Sequence, residues 1–219
     1  MRLQGVIVLR VNEIFLSIQG EGTRAGLPCV LVRLTGCNLR CDWCDTQYSW
    51  NEGDLLSVSE VLRRVGALGC KRVELTGGEP LLQDTAPDLL ARLCDAGYET
   101  LLETNGSIDI SMVDPRVVRI VDFKCPSSGQ SERNLWDNVR HLAQGDEVKL
   151  VIADRADYEY ARDVTLRHAL IGRCTVIFSP VVLRLAPATL AQWILADALD
   201  VRLGLQLHRI IWPDQDRGV

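Results

Sequence analysis

The sequence has no apolar run of the roughly 18 residues needed to cross a bilayer, so no membrane span is expected. Met1 through Val8 carry a single basic residue and no small-residue cleavage pattern, so no secretory signal is expected and the cytoplasm is the expected compartment. Basic residues are not in excess: 24 Lys and Arg against 29 Asp and Glu give a net charge of −5, which argues against a broad phosphate-binding face for nucleic acid. Low-complexity tracts, charge blocks, linkers and sequence repeats are also missing, so residues 1–219 are read as one domain. At this length, with 47% hydrophobic residues, the chain can bury a substantial core without disulfides.

The eight cysteines are distributed unevenly. Cys29, Cys70, Cys94, Cys125 and Cys174 are scattered and read as small apolar residues. Cys37, Cys41 and Cys44 instead share a polar loop with Asn38, Arg40 and Asp42. Thiolates suit zinc or iron–sulfur clusters. Structural zinc usually takes four ligands, and no fourth Cys or His lies at finger-like spacing, since Cys70 and His141 are far along the chain. Three ligands on a four-iron cubane leave one iron open to a small molecule. A 4Fe–4S cluster on Cys37, Cys41 and Cys44 is the reading adopted.

Around this loop, β-rich runs alternate with helical patterns, the signature of a parallel sheet wrapped by helices. Strands are predicted at Val30–Thr35, Arg72–Thr76, Glu99–Thr104, Val117–Phe123, Val148–Ile152 and Thr175–Phe178, with an alternating last strand at Arg202–Ile211. Helices are predicted after the capping box Ser57–Glu60, over Thr85–Ala96 and Arg155–Ala169, and around Glu132–Ala143 and Pro187–Ala198. The chain is shorter than the ~250 residues of a full eightfold barrel, so the expected fold is α/β, an incomplete (β/α) barrel of about six parallel strands. Cys37, Gly77, Gly78, Asn105, Lys124 and Ser179 all follow strand ends, which form the active rim in such folds.

The cysteine loop, with Trp43 before its last thiol, and Thr76-Gly77-Gly78-Glu79-Pro80 together resemble the radical S-adenosylmethionine superfamily. In isolation the second motif reads as a plain turn, or as glycines that admit a ligand beside Glu79, whose acceptors suit a cationic amino group. The resemblance implies that S-adenosylmethionine chelates the open iron and is cleaved to an adenosyl radical. Asn12-Glu13, Phe15, Ser17 to Gly22, Arg33 to Cys37, Cys44-Asp45-Thr46, Asp122 to Lys124, Pro126 to Gly129, Phe178 to Pro180 and Gln206 to Trp212 narrow it. Across nearly the whole chain they resemble the 7-carboxy-7-deazaguanine synthases.

That resemblance implies conversion of 6-carboxy-5,6,7,8-tetrahydropterin to 7-carboxy-7-deazaguanine, with ring contraction and ammonia loss, on the route to queuosine and other 7-deazapurines. It implies a 4Fe–4S cluster, S-adenosylmethionine and Mg2+, a flavodoxin or ferredoxin-like electron donor, and a homodimer. Thr46 corresponds to the magnesium ligand. Gly77, Gly78, Glu79, Asp122, Phe123, Lys124, Ser179, Pro180, Val181 and Val182 correspond to cofactor contacts, and Ile18, Gln19, Gly20, Arg33 and Thr76 to substrate contacts. Gln19 both donates and accepts, as the mixed edge of a pterin requires. Arg33 suits either a structural carboxylate or the substrate carboxylate. His141 and His168 read as surface residues, whereas His208 and the Val219 carboxylate could reach the site. The rivals are an activase that generates a glycyl radical on a partner protein, and a non-enzymatic iron–sulfur carrier or zinc module.

Overall fold

The computed structural model describes residues 2–3 and 6–219. Its central feature is a run of parallel strands with apolar outer faces: β3 (Pro28–Leu34), β5 (Arg72–Gly77), β6 (Glu99–Thr104), β7 (Val118–Phe123), β8 (Glu147–Ile152) and β9 (Thr175–Pro180). Each pairs in parallel with the next, and a two-residue β10 (Arg202–Leu203) extends the run beyond β9. The order is linear, so the sheet stays open as a partial barrel. The six longer parallel strands match the number read from the sequence.

Period-two alternation sorts the side chains of these strands. Val73, Leu75, Leu102, Val121, Phe123, Val148, Leu150, Val176 and Phe178 join the core cluster on the outer, helix-covered face. Helix α1 (Val58–Ala67) contributes Val58, Val61 and Val65, and α2 (Ala86–Asp95) contributes Leu89, Leu90 and Leu93. Further along, α3 (Arg155–Arg167) adds Tyr158 and Ala161, and α4 (Pro187–Ala196) adds Leu190 and Ile194. Caps fix two starts: Ser57 accepts from the Glu60 N–H, and Asp154 from the Asp157 N–H. Facing inward from the same strands are Glu74, Thr76, Glu103, Asp122 and Lys149. A barrel interior without function would hold aliphatic side chains there.

One strand was not read from the sequence, and two readings are corrected. The N-terminal segment forms β2 (Val6–Ile18), antiparallel to β3 and flanked by β1 (Arg2–Leu3) and β4 (Asp54–Ser57). A register shift between Val11 and Glu13 interrupts its alternation, which hides the strand from a period-two search. The predicted last strand ends at Leu203, and Leu207–Ile211 is a short helix, α5. At the break, a Cβ on Gly204 would meet Ser179 Oγ at 2.4 Å; from there the chain turns back, and the Leu207 N–H donates to the Gly20 carbonyl at 2.9 Å.

The predicted helix around Glu132–Ala143 is two 3-10 segments, Ser131–Arg133 and Trp136–His141. Its asparagines serve the neighbouring loops instead. Asn134 accepts from the Lys124 N–H and donates to the Lys124 carbonyl. Asn138 accepts from the Ile110 N–H and donates to the Gly106 and Ile108 carbonyls. Asn138→Ala leaves these buried backbone groups without a side-chain partner. The expected cost is about 2–3 kcal/mol, read as a lower urea midpoint at unchanged slope; an unmoved midpoint would refute this role.

Candidate active site

A cavity of about 690 Å³ opens at the C-terminal rim of the parallel strands. Cys37, Cys41 and Cys44 line it together with Trp43, Thr46, Gly77 and Gly78. The cysteine loop leaves β3 and is pinned from several sides. Leu39 is buried, Asn38 donates to Ser107 Oγ at 2.8 Å, and Asn105 donates to Asn38 Oδ1 at 3.0 Å. The Asp42 N–H reaches the Ser128 carbonyl at 3.3 Å, and the Arg40 guanidinium lies 4.2 Å from the Trp50 ring centroid. Burial pushes the Cys37 thiol up and the Cys41 thiol to about 11, so each binds metal with loss of a proton.

Among the described residues no three His, Cys, Asp or Glu side chains converge closely enough to hold a single metal ion. A four-iron cluster spreads its thiolates more widely than one zinc ion does, and three thiols around one cavity rim suit that larger group. The Gly77–Gly78 turn brings the end of β5 against this loop. A Cβ on Gly78 would lie 2.2 Å from the Gly36 carbonyl oxygen and 2.7 Å from Cys37 Cβ, so only glycine permits the approach.

Glu79 does not line the cavity. It is fully buried, and its carboxylate accepts from the Leu81 N–H, the Asn105 N–H and the Thr104 hydroxyl at 2.7–3.0 Å. It therefore ties the ends of β5 and β6 together, which corrects its reading as an acceptor for a ligand. Phe123 is also turned away, into the core, where its ring stacks on Trp136 at 4.5 Å. Ser179 and Pro180 lie buried beneath the wall, while Val181 and Val182 form its surface.

Ile18, Gln19, Gly20, Arg33, Thr76, Asp122 and Lys124 do line the cavity. The Arg33 Nε donates to Glu13 at 2.7 Å, and the Tyr48 hydroxyl donates to the same carboxylate at 2.8 Å. A structural carboxylate thus orients Arg33 while the side chain still faces the cavity. Thr46 faces the cavity beside Cys44, with Oγ1 3.8 Å from the sulfur. His208, on α5, lines the cavity too, and a Cβ on Gly20 would fall 2.2 Å from its Nδ1. Burial holds the His208 imidazole below its ordinary value. His141 is exposed, and His168 stacks on Trp136 at 4.3 Å; neither lines the cavity.

The interior holds a charge network that sequence reasoning left out. Lys149 on β8 contacts Glu103 at 2.5 Å, Glu21 at 2.8 Å and Asp122 at 3.4 Å. Asp122 also pairs with Lys124 at 2.9 Å, and Thr76 donates to Glu103 at 3.1 Å. Burial alone would lower the Lys149 ammonium, but the surrounding Glu103, Glu21 and Asp122 carboxylates outweigh it and raise it. Burial would likewise raise Glu103, and Lys149 overrides it, holding Glu103 near 2. The signal in the sequence was a charged residue alternating with aliphatics within a strand, as in Glu147-Val-Lys149-Leu150.

Glu74 on β5 is the exception. Burial, with the neighbouring Glu103 charge, pushes it up to about 8 from an ordinary value of 4.5. The folded protein thus holds this proton more tightly than the unfolded chain, and stability falls as pH rises from about 5 to about 8. Glu74→Gln removes that loss. The variant is expected to gain on the wild type in unfolding free energy across this pH window, measured by chemical denaturation; parallel curves would refute the buried neutral acid.

Residues 31–120 match the family model described as the Radical SAM superfamily. The chain is 46% identical to the 7-carboxy-7-deazaguanine synthase of Chlorobaculum tepidum, covering 96% of this chain and 97% of that one. It is 44% identical to that of Koribacter versatilis, covering 96% and 100% respectively. The crystal structure of QueE from Escherichia coli shares the fold with a TM-score of 0.74 at 24% identity, covering 93% of this chain and 96% of that one. Near-complete coverage at this identity leaves the three-cysteine loop and its charged cavity with one assignment: the chain belongs to the 7-carboxy-7-deazaguanine synthase family of radical S-adenosylmethionine enzymes.

Proposed function

We propose that the protein is a carbon–nitrogen lyase that converts 6-carboxy-5,6,7,8-tetrahydropterin to 7-carboxy-7-deazaguanine, releasing ammonia, in queuosine and 7-deazapurine biosynthesis. The observation that carries this reading is a cavity joining a three-thiol loop to a floor of hydrogen-bonding and charged side chains, Gln19, Glu74, Thr76, Glu103 and Lys149. When bound, the cluster supplies the electron that splits S-adenosylmethionine into methionine and an adenosyl radical able to take a hydrogen from the pterin.

Cys37, Cys41 and Cys44 hold the cluster, and the Gly78 backbone borders the methionine end of the cofactor. Arg33, fixed by Glu13, offers its guanidinium to the pterin carboxylate. Lys149 keeps a proton at Nζ and counters the carboxylates around the ring. Gly20 lets the Gln19–Gly22 segment pack directly against His208. Thr46 Oγ1, a hard oxygen donor facing the cavity, would be the protein's ligand to Mg2+.

The continuous sheet supports reading residues 1–219 as one radical SAM domain. The open edge at β10 supports a homodimer. A flavodoxin or ferredoxin-type protein is the proposed reductant. Among the described residues no helix is long and apolar enough to cross a membrane; a cytoplasmic site of action with no nucleic-acid partner fits a small-molecule lyase of net charge −5. The test is anaerobic reconstitution, followed by mass spectrometry for 7-carboxy-7-deazaguanine and 5′-deoxyadenosine. The wild type is expected to yield both, and Cys41→Ala to lose the iron–sulfur absorption and both products. Cluster-loaded wild type that makes no deazaguanine would overturn the function.

A further inference from the structure

Every cation lining the cavity has a carboxylate of its own. Lys149 is held by Glu103 and Glu21, Lys124 by Asp122, Arg33 by Glu13 and Arg209 by Asp45. Arg72, at the start of the same strand as Glu74, is taken by Glu99. Glu74 alone among the interior carboxyls has only an amide: the Gln19 side chain donates to its Oε2. Among the described residues no donor reaches Glu74 Oε1, although the residue is 97% buried and lines the cavity (relative exposure 3%). The groups facing it are Gln19 and Glu21 from the segment after β2, Glu103 from β6, Lys149 from β8 and Cys29 from β3.

Among the described residues Asp122 Oδ1 is the carboxylate oxygen sealed away without a partner, whereas Glu74 Oε1 keeps access to the cavity, where a ligand can fill it. Gln19 fixes the plane of the carboxyl, and the next strand position but one, Thr76, also faces the cavity. The side chain is thus held rigidly, with one edge toward the space where a ring would lie.

We propose that Glu74 is a specificity-determining residue, its free carboxyl edge accepting two adjacent donors, a ring N–H and an exocyclic amino group, from the bound heterocycle. The inference rests on the pterin reading and deepens it. A pterin carries that pair at N3–H and the 2-amino group; their donation favours the ionised form, so Glu74 gives up its proton to solvent on binding and the carboxylate then meets the pair side by side as it meets a guanidinium. The 2-oxo counterpart, a lumazine, would set its carbonyl oxygen against a carboxylate oxygen. A site built to bond an N–H group rejects a ligand lacking it more strongly than an apolar pocket would. Glu74 would therefore exclude deaminated pterins from an enzyme whose product retains the amino group.

The test uses reconstituted holoenzyme with S-adenosylmethionine and no reductant, so that nothing turns over. Binding of fluorescent 6-carboxypterin is compared with that of 6-carboxylumazine in wild type, Glu74→Gln and Glu74→Val. Wild type is expected to prefer the pterin by at least about tenfold. Glu74→Gln offers one donor and one acceptor, which fits the lumazine edge, so the preference is expected to reverse; Glu74→Val is expected to abolish it. A purely structural glutamate would weaken both ligands equally, and the isosteric Gln variant keeps the comparison valid if the Val variant unfolds. A wild type that makes deazaguanine yet binds both analogues equally, or a Gln variant that keeps the wild-type preference, overturns the proposal and leaves the function standing. A cluster-loaded wild type without deazaguanine synthesis removes both.

Discussion

Lys149 is the cation on which the interior of this partial barrel depends. It stands mid-strand on β8, almost wholly buried, and gathers carboxylates from three other elements: Glu21 after β2, Glu103 on β6 and Asp122 on β7. Buried charges of one sign cannot persist together unless a counter-charge meets them. Without Lys149, the inward-facing acids of β6 and β7 would repel one another and the Glu21 segment would lose its anchor. The same ammonium reaches across β7 to Glu103 and also holds Glu21 in the loop after β2, so one side chain ties that loop to the charged floor.

Around that centre, each wall is placed by a local requirement. Glycines at 77 and 78 let the end of β5 touch the cysteine loop. Glu79, hidden beneath them, spends its carboxylate on the ends of β5 and β6 and so fixes the height of the rim. Glu147, at the opposite end of β8, accepts from the Thr23 N–H and from the Arg24 guanidinium. This clasps the loop after Gln19 to the barrel, so the substrate floor and the cofactor rim are held at opposite ends of the same strands.

Much of this was legible in the sequence, for identifiable reasons. The parallel strands read clearly because short β-branched and aliphatic runs alternate with helical patterns along the chain. The thiol loop and the glycine turn read clearly because their spacing is local. The bulged β2 did not, since its interrupted alternation mimics a loop, and neither did the end of the chain, where Leu203-Gly-Leu-Gln-Leu-His208 alternates like a strand but bends at Gly204. The charge network showed only as single charged residues among strand aliphatics, and its convergence was hidden for a deeper reason. Glu21, Glu74, Glu103 and Lys149 are brought together only by barrel curvature, and no linear spacing encodes that. Glu79 and Phe123 show the converse: residues inside a recognised motif can serve the scaffold, with their side chains turned away from the ligand.

The most direct test of the Lys149 centre is a double-mutant cycle in unfolding free energy, using Lys149→Met, Glu103→Gln and the pair. The single lysine change is expected to cost about 3–5 kcal/mol, because it strands buried carboxylates. Adding Glu103→Gln should recover part of that loss, giving a coupling of about 1 kcal/mol or more. Strictly additive changes, or a Lys149→Met protein as stable as the wild type, would contradict the account.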